Sequence, residues 1–175
     1  VAISELVMEK ARRSVEFGED VVVLVDSLTR LARAYNLVAK QTGKTLTGGI
    51  DAAAMAGPRQ LLGAARNLES GGSLTVIGTV LVDTGSRLDD YVYEDLKGTA
   101  NSQTYLDREL FEKRVFPPID VRRSETRREE LLLSEDTLRK TASLRRLLGR
   151  ANSPAKCIDL LRQQMGKTKT NDELL

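Results

Sequence analysis

Five consecutive apolar residues, Val21-Val22-Val23-Leu24-Val25, stop abruptly at Asp26. A β-branched run with no alternation reads as a strand covered on both faces, the pattern of a parallel sheet. A second such run spans Ser73 to Val82. Helical periods flank both. Ser4 to Phe17 places Leu6, Val7, Ala11 and Val15 on one stripe and ends at Gly18. Ser27 to Leu37 resumes a helical period directly after Asp26. Buried strands alternating with amphipathic helices predict an α/β layered fold with a mostly parallel sheet flanked by helices.

Gln41 to Gly57 holds Gly43, Lys44, Thr45, Thr47, Gly48 and Gly49 and is expected to be a long loop running into a short helix. Pro58 to Asn67 is expected to be helical, and Glu69 to Gly72 a turn. The second strand ends in a polar loop, Asp83-Thr84-Gly85-Ser86-Arg87. Leu88 to Leu96 reads as irregular or helical, and Asn101 to Arg114 includes a helical pattern at Leu106-Asp107-Arg108-Glu109-Leu110. Val115 to Val121, with Pro117 and Pro118, reads as an edge or the start of a strand. Ser124 is expected to cap a helix reaching Leu133. Two further helices are expected over Glu135 to Gly149 and Pro154 to Met165, with a short capped turn from Thr170. No repeat or low-complexity linker divides the chain. It is read as one domain, in which 1–133 carries the sheet and 134–175 a C-terminal helical part.

Composition narrows the chemistry. The chain has no histidine, and Cys157 is its single cysteine. The usual general base and most metal sites are thereby removed, leaving carboxylates, arginines and backbone groups. Net charge is only +2, so any nucleic-acid site must be local. The longest apolar stretch is far too short to span a bilayer, so no membrane role is expected. No secretion leader is read at the start, and the opening Val1 suggests a fragment.

An Asp closing a parallel strand stands at the carboxyl rim of the sheet, where ligands of open α/β folds bind. In phosphoryl-transfer enzymes such a residue holds Mg²⁺ or its water shell; by itself it is more often a plain strand-ending Asp. The phrase that follows is more specific: Asp26-Ser27-Leu28-Thr29-Arg30-Leu31-Ala32-Arg33-Ala34-Tyr35-Asn36. It resembles the Walker B strand and following helix of the Rho family of transcription-terminating RNA motors. Further matches follow in order. Gly43 to Asp51 resembles the family's Q loop, and Asp83 to Arg87 its R loop, with Arg87 where a lysine is usual. Lys97-Gly98-Thr99, Lys113-Arg114-Val115-Phe116-Pro117, Ser124 to Leu132, and Thr168-Lys169-Thr170-Asn171 complete the series.

That resemblance implies a partial RecA-like P-loop NTPase core using ATP and Mg²⁺. Asp26 would hold Mg²⁺ through water. Phe116 would stack on adenine, Arg127 would be the arginine finger, and Arg114 would line the subunit seam. Lys44, Thr45, Thr47, Gly48, Gly49, Arg87 and Lys97 would touch single-stranded RNA. It also implies a cytoplasmic homo-oligomer, a hexameric ring, that meets RNA polymerase and its transcription complex indirectly. Each of these cations has a plainer reading as a solvated surface charge.

The sequence also departs from the pattern. Ala100 replaces a customary glycine, Ser102 to Tyr105 differ from the usual residues, and Glu125 stands where glycine is usual, beside Arg127 and Arg128. No Gly-x-x-x-x-Gly-Lys-Ser/Thr occurs, so the 175 residues alone are not expected to hydrolyse ATP. Two other readings stay open: a rotary or export-type RecA-like ATPase subunit, and a non-catalytic RNA-binding remnant.

Overall fold

A computed structural model describes residues 1–40 and 42–175. Gln41, the first residue of the expected long loop, lies outside the described residues. The chain divides into two compact units, Val1–Ala100 and Asn101–Leu175. This boundary falls ahead of the 133/134 partition expected from the sequence.

The first unit opens with α1 (Ala2–Glu16) and β1 (Asp20–Val25), followed by α2 (Leu28–Val38). A 3-10 turn at Thr47–Gly49 leads to α3 (Ala56–Leu62). Then come β2 (Arg66–Asn67), β3 (Ser73–Gly78) and α4 (Arg87–Lys97). The three strands lie in the order β1-β3-β2. β1 and β3 are parallel from Asp20 opposite Ser73 to Val25 opposite Gly78. The two-residue β2 adds an antiparallel edge. The expected mostly parallel α/β arrangement is therefore present.

Its core is built by one face of this sheet and the helices over it. Met8, Ala11 and Val15 of α1 meet Val23, Leu74, Leu28, Ala32, Met55, Val92 and Leu96. The stripe of α1 is set by Met8 rather than by Leu6 and Val7, which are 70% and 47% exposed. β1 is covered on one face only, with Val22 and Leu24 exposed on the other. The strand is recognisable by its β-branched residues, but the two-sided burial expected of it is not found among the described residues.

Several boundaries differ from expectation for local reasons. Past Gly78 the chain passes from β1 to α2: the Thr79 amide still reaches the Val25 carbonyl (3.0 Å), but the Thr79 carbonyl accepts from the Leu28 amide (2.9 Å) and the Leu81 amide donates to Thr29 Oγ1 (2.9 Å). α3 ends at Leu62, and Arg66–Asn67 leaves to pair with β3.

The second unit contains β4 (Ser102–Gln103), α5 (Arg108–Glu112) and β5 (Glu125–Thr126). After a 3-10 turn at Glu129–Leu131 come α6 (Glu135–Leu148), α7 (Pro154–Met165) and α8 (Asn171–Leu174). Ser134, Ser153 and Thr170 each cap the helix that follows, as helix-start chemistry requires. α5 begins at Arg108 rather than at Leu106 because Asp107 Oδ1 accepts from the Leu110 amide (2.8 Å) and caps the helix there. The expected Ser124-capped helix does not form. Ser124 Oγ accepts from the Tyr105 amide (3.0 Å) and donates to the Asp120 carbonyl (2.8 Å), which keeps it from capping. Its neighbours Glu125 and Thr126 pair with β4. The Val115–Val121 stretch forms no strand, only a bridge between Ile119 and Leu106.

Candidate functional site

Asp26 follows the last residue of β1 and is exposed at the carboxyl rim of the parallel pair. Its Oδ1 accepts a hydrogen bond from Thr79 Oγ1 (2.7 Å), the residue that follows β3. The next residue, Ser27, caps α2 by accepting from the Arg30 amide (3.2 Å). Sheet rim and helix start are thus one piece of structure. Gly78 permits it, because a Cβ there would lie 2.3 Å from Leu28 Cδ1. One carboxylate beside a hydroxyl suits a Mg²⁺ held through its water and shared with substrate phosphate oxygens. Among the described residues no three His, Cys, Asp or Glu side chains converge to hold a metal by themselves.

The far end of α2 organises the glycine-rich loop. Asn36 Oδ1 accepts from the Asp51 amide (2.8 Å). The Asp51 carboxylate accepts from the amides of Thr42 (2.7 Å) and Ala53 (2.9 Å) and from the Thr42 hydroxyl (3.0 Å). The Ala53 amide is the strongest influence holding the Asp51 carboxyl below the usual carboxylate range. Ile50, fully buried, anchors the loop in the core. Lys44, Thr45, Thr47, Gly48 and Gly49 remain exposed.

The polar loop after β3 is fixed by a buried carboxylate. Asp89, fully buried, receives Arg33 of α2 through Nε (3.0 Å) and Nη2 (2.7 and 2.5 Å), and Thr84 Oγ1 (2.7 Å). Arg33 is the main influence holding the Asp89 carboxyl below its ordinary value, with Thr84 adding to it against the cost of burial. Ser86 caps α4 through the Asp89 amide (3.4 Å). Arg87, the first residue of α4, is exposed.

The two loops touch. Gly48, at φ 82°, lies against the Arg87–Leu88 backbone, where a Cβ would come within 2.5 Å of the Leu88 amide nitrogen. Only glycine fits both the positive φ and the space. This brings together five expected contact residues on one loop and Arg87 on the other. Lys97, in the last turn of α4, is half-buried with its ammonium 5.6 Å from the centre of the Tyr93 ring.

Arg114, Phe116 and Arg127 belong to the second unit. All three are exposed. Phe116 packs edge-on against Phe111, with centroids 5.8 Å apart, and its carbonyl accepts from Arg162. The Arg127 amide donates to the Asn101 carbonyl (2.8 Å), which places it just past the β4–β5 ladder. Arg128 is ion-paired with Glu130. Arg114 and Arg128 hold left-handed backbones at φ 59° and 55°, as does Asp83 at φ 55°.

Sequence reasoning named the exposed residues and missed their supports, Asp51 and Asp89. A readable signal existed for Asp89: it lies three residues after Ser86, the spacing of a helix N-cap and its first turn.

Residues 4–126 match the nucleotide-binding domain of the ATP synthase alpha/beta family. The chain is 53% identical over 173 residues to a protein named transcription termination factor Rho from Allochromatium vinosum, covering 99% of this chain and 41% of that protein. It is also 53% identical to the protein of that name from Bacillus subtilis, over 99% of this chain and 40% of that protein. It thus spans about two fifths of the length of these relatives. Among solved structures, an ATPase from the type III secretion system of pathogenic bacteria superposes with a TM-score of 0.72 at 26% identity, covering 95% of this chain and 47% of that one. The assembled ATPase EscN of enteropathogenic E. coli gives a TM-score of 0.71 at 25% identity, over 96% and 39%.

Proposed function

Starting from a chain that belongs to the nucleotide-binding domain of the ATP synthase alpha/beta family, we propose that it is part of an ATP-driven RNA motor that ends transcription. The observation that carries this reading is the interlock of the two polar loops at Gly48 and Leu88. They are held by the same helix whose cap follows Asp26. A nucleotide site and a phosphate-gripping lip are then two ends of one short rigid element. The similarity of 99% of this chain to part of proteins named transcription termination factor Rho supports RNA as the polymer.

The residues divide the work as follows. Asp26, braced by Thr79, orders the water shell of the nucleotide's Mg²⁺. That ion, when bound, neutralises phosphate charge and aligns the transferred group. Phe116 offers an exposed ring for the adenine face. Arg127 of a neighbouring copy in a hexameric ring places a guanidinium where charge builds on the phosphoryl group, and Arg114 lines the same seam. Lys44, Arg87 and Lys97 supply charge to single-stranded RNA. The hydroxyls of Thr45 and Thr47 and the bare backbone at Gly48 and Gly49 let phosphates approach closely.

The test uses the protein at the full length of its relatives. ATP hydrolysis is measured with and without single-stranded RNA over a salt series. RNA-stimulated turnover that weakens steeply with salt is the expected result. Hydrolysis indifferent to RNA would favour a second reading, an export-type ATPase subunit, which the overlap with secretion ATPases supports. RNA binding with no hydrolysis would favour a non-catalytic remnant.

A further inference from the structure

α2 clasps the segment leading out of β3 at three levels. At its start, the Leu28 amide binds the Thr79 carbonyl, beside the Thr79 hydroxyl that braces Asp26. One residue on, the fully buried Thr29 accepts from the Leu81 amide. A turn further, Arg33 grips Asp89 with both Nε and Nη2, and Asp89 in turn holds Thr84 inside the 83–87 loop. The third level differs from the first two. It is a charged pair with one member fully buried, and its partner half-exposed, so it has an alternative in water that the backbone bonds lack.

Beyond this clasp lies the Gly48 contact. Leu88 is the neighbour of Asp89, and its backbone is the surface on which Gly48 rests. A shift of Asp89 therefore moves the platform under the glycine-rich loop as well. That loop has its own tether to α2 through Asn36 and Asp51.

We infer that Arg33 is a positioning residue that couples the two polymer-facing loops to the Asp26 end of α2 by fixing Asp89. It touches neither nucleotide nor polymer. The inference rests on the RNA-motor reading above. It adds the specific bond through which occupancy at one end of the helix is felt at the other. Coupling by such an element requires two arrangements of the same contacts, and a half-exposed arginine over a buried carboxylate supplies a bond that can be made and released.

Arg33→Lys keeps the charge but loses the two-pronged grip. In the full-length protein, the RNA-free hydrolysis rate and RNA affinity are expected to stay within about threefold of wild type, while stimulation by RNA falls about tenfold. Hydrogen exchange should quicken at both 83–87 and 45–49. If Arg33→Lys fails to fold, the paired swap Arg33→Met with Asp89→Leu fills the site without charge and must show the same selective loss. Stimulation preserved in either folded variant, or RNA-free and stimulated rates falling in equal proportion, overturns the inference. Quickened exchange at 83–87 alone overturns its extension to the second loop. A wild-type protein whose hydrolysis ignores RNA defeats the motor reading instead, and is recognised because the failure appears before any substitution.

Discussion

Gly48 and Leu88 sit in direct backbone contact, close enough that a methyl group on Gly48 would reach 2.5 Å from the Leu88 amide. Backbone cannot yield as a side chain can, and the φ of 82° adds strain for any other residue. Gly48→Ala should therefore pry the glycine-rich loop off α4 without unfolding the sheet. RNA affinity of the full-length protein is expected to drop at least about tenfold, the scale of losing one or two ordered phosphate contacts. Fluorescence anisotropy with labelled RNA checks it; unchanged affinity means the loops act separately.

Gly78 should be intolerant for a different reason. Leu28 covers it and is itself buried, so the added Cβ of Gly78→Ala has nowhere to send the Leu28 methyl. Overpacking of this kind costs about 1–3 kcal/mol. Denaturant unfolding should show that loss. In a double-mutant cycle with Leu28→Ala the two losses should be less than additive, and strict additivity would mean the clash lies elsewhere.

Acid should weaken the loop supports. Asp89 is held below its ordinary pKa first by Arg33, and Asp51 first by the Ala53 amide. A depressed folded pKa means the stabilisation is complete above the unfolded value of about 3.9 and is lost as pH falls through the folded value. Tm should be flat from neutral pH to about 5 on this account and fall below about 4. Asp89→Asn should flatten the acid limb; an identical acid slope would assign the loss to other carboxylates.

Arg127→Ala in the full-length protein should abolish ATP turnover while leaving ATP binding within about threefold, since a finger acts on charge that appears only in the transition state. Equal loss of binding and turnover would assign Arg127 an assembly role.

How much of this was readable in the sequence depends on the range of the forces involved. β1 and Asp26 were legible because a β-branched run and its abrupt end are local signals. The helices after Ser134 and Ser153 were legible for the same reason, each opening with its own cap. The stretch around Ser124 was not. Its hydroxyl is claimed by Tyr105 and Asp120, partners set by tertiary contact rather than by neighbouring residues. Val22 and Leu24 misled in the opposite way, since a strand's residues do not reveal how many faces of its sheet are covered. At the candidate site, motif resemblance could name residues such as Lys44, Arg87 and Arg127, all exposed. Asp51 and Asp89 were hidden, because a buried carboxylate looks in sequence like any solvated one.

Asp83, Arg114 and Arg128 share a left-handed backbone that asks for glycine. Holding a side chain there costs about 1 kcal/mol or more. All three lie in or beside segments proposed to meet RNA or nucleotide. Folding alone would be better served by the smaller residue. A guanidinium at 114, proposed to line the subunit seam, therefore reads as a choice of the group over the comfort of the chain, a place where a more robust protein would be a poorer machine.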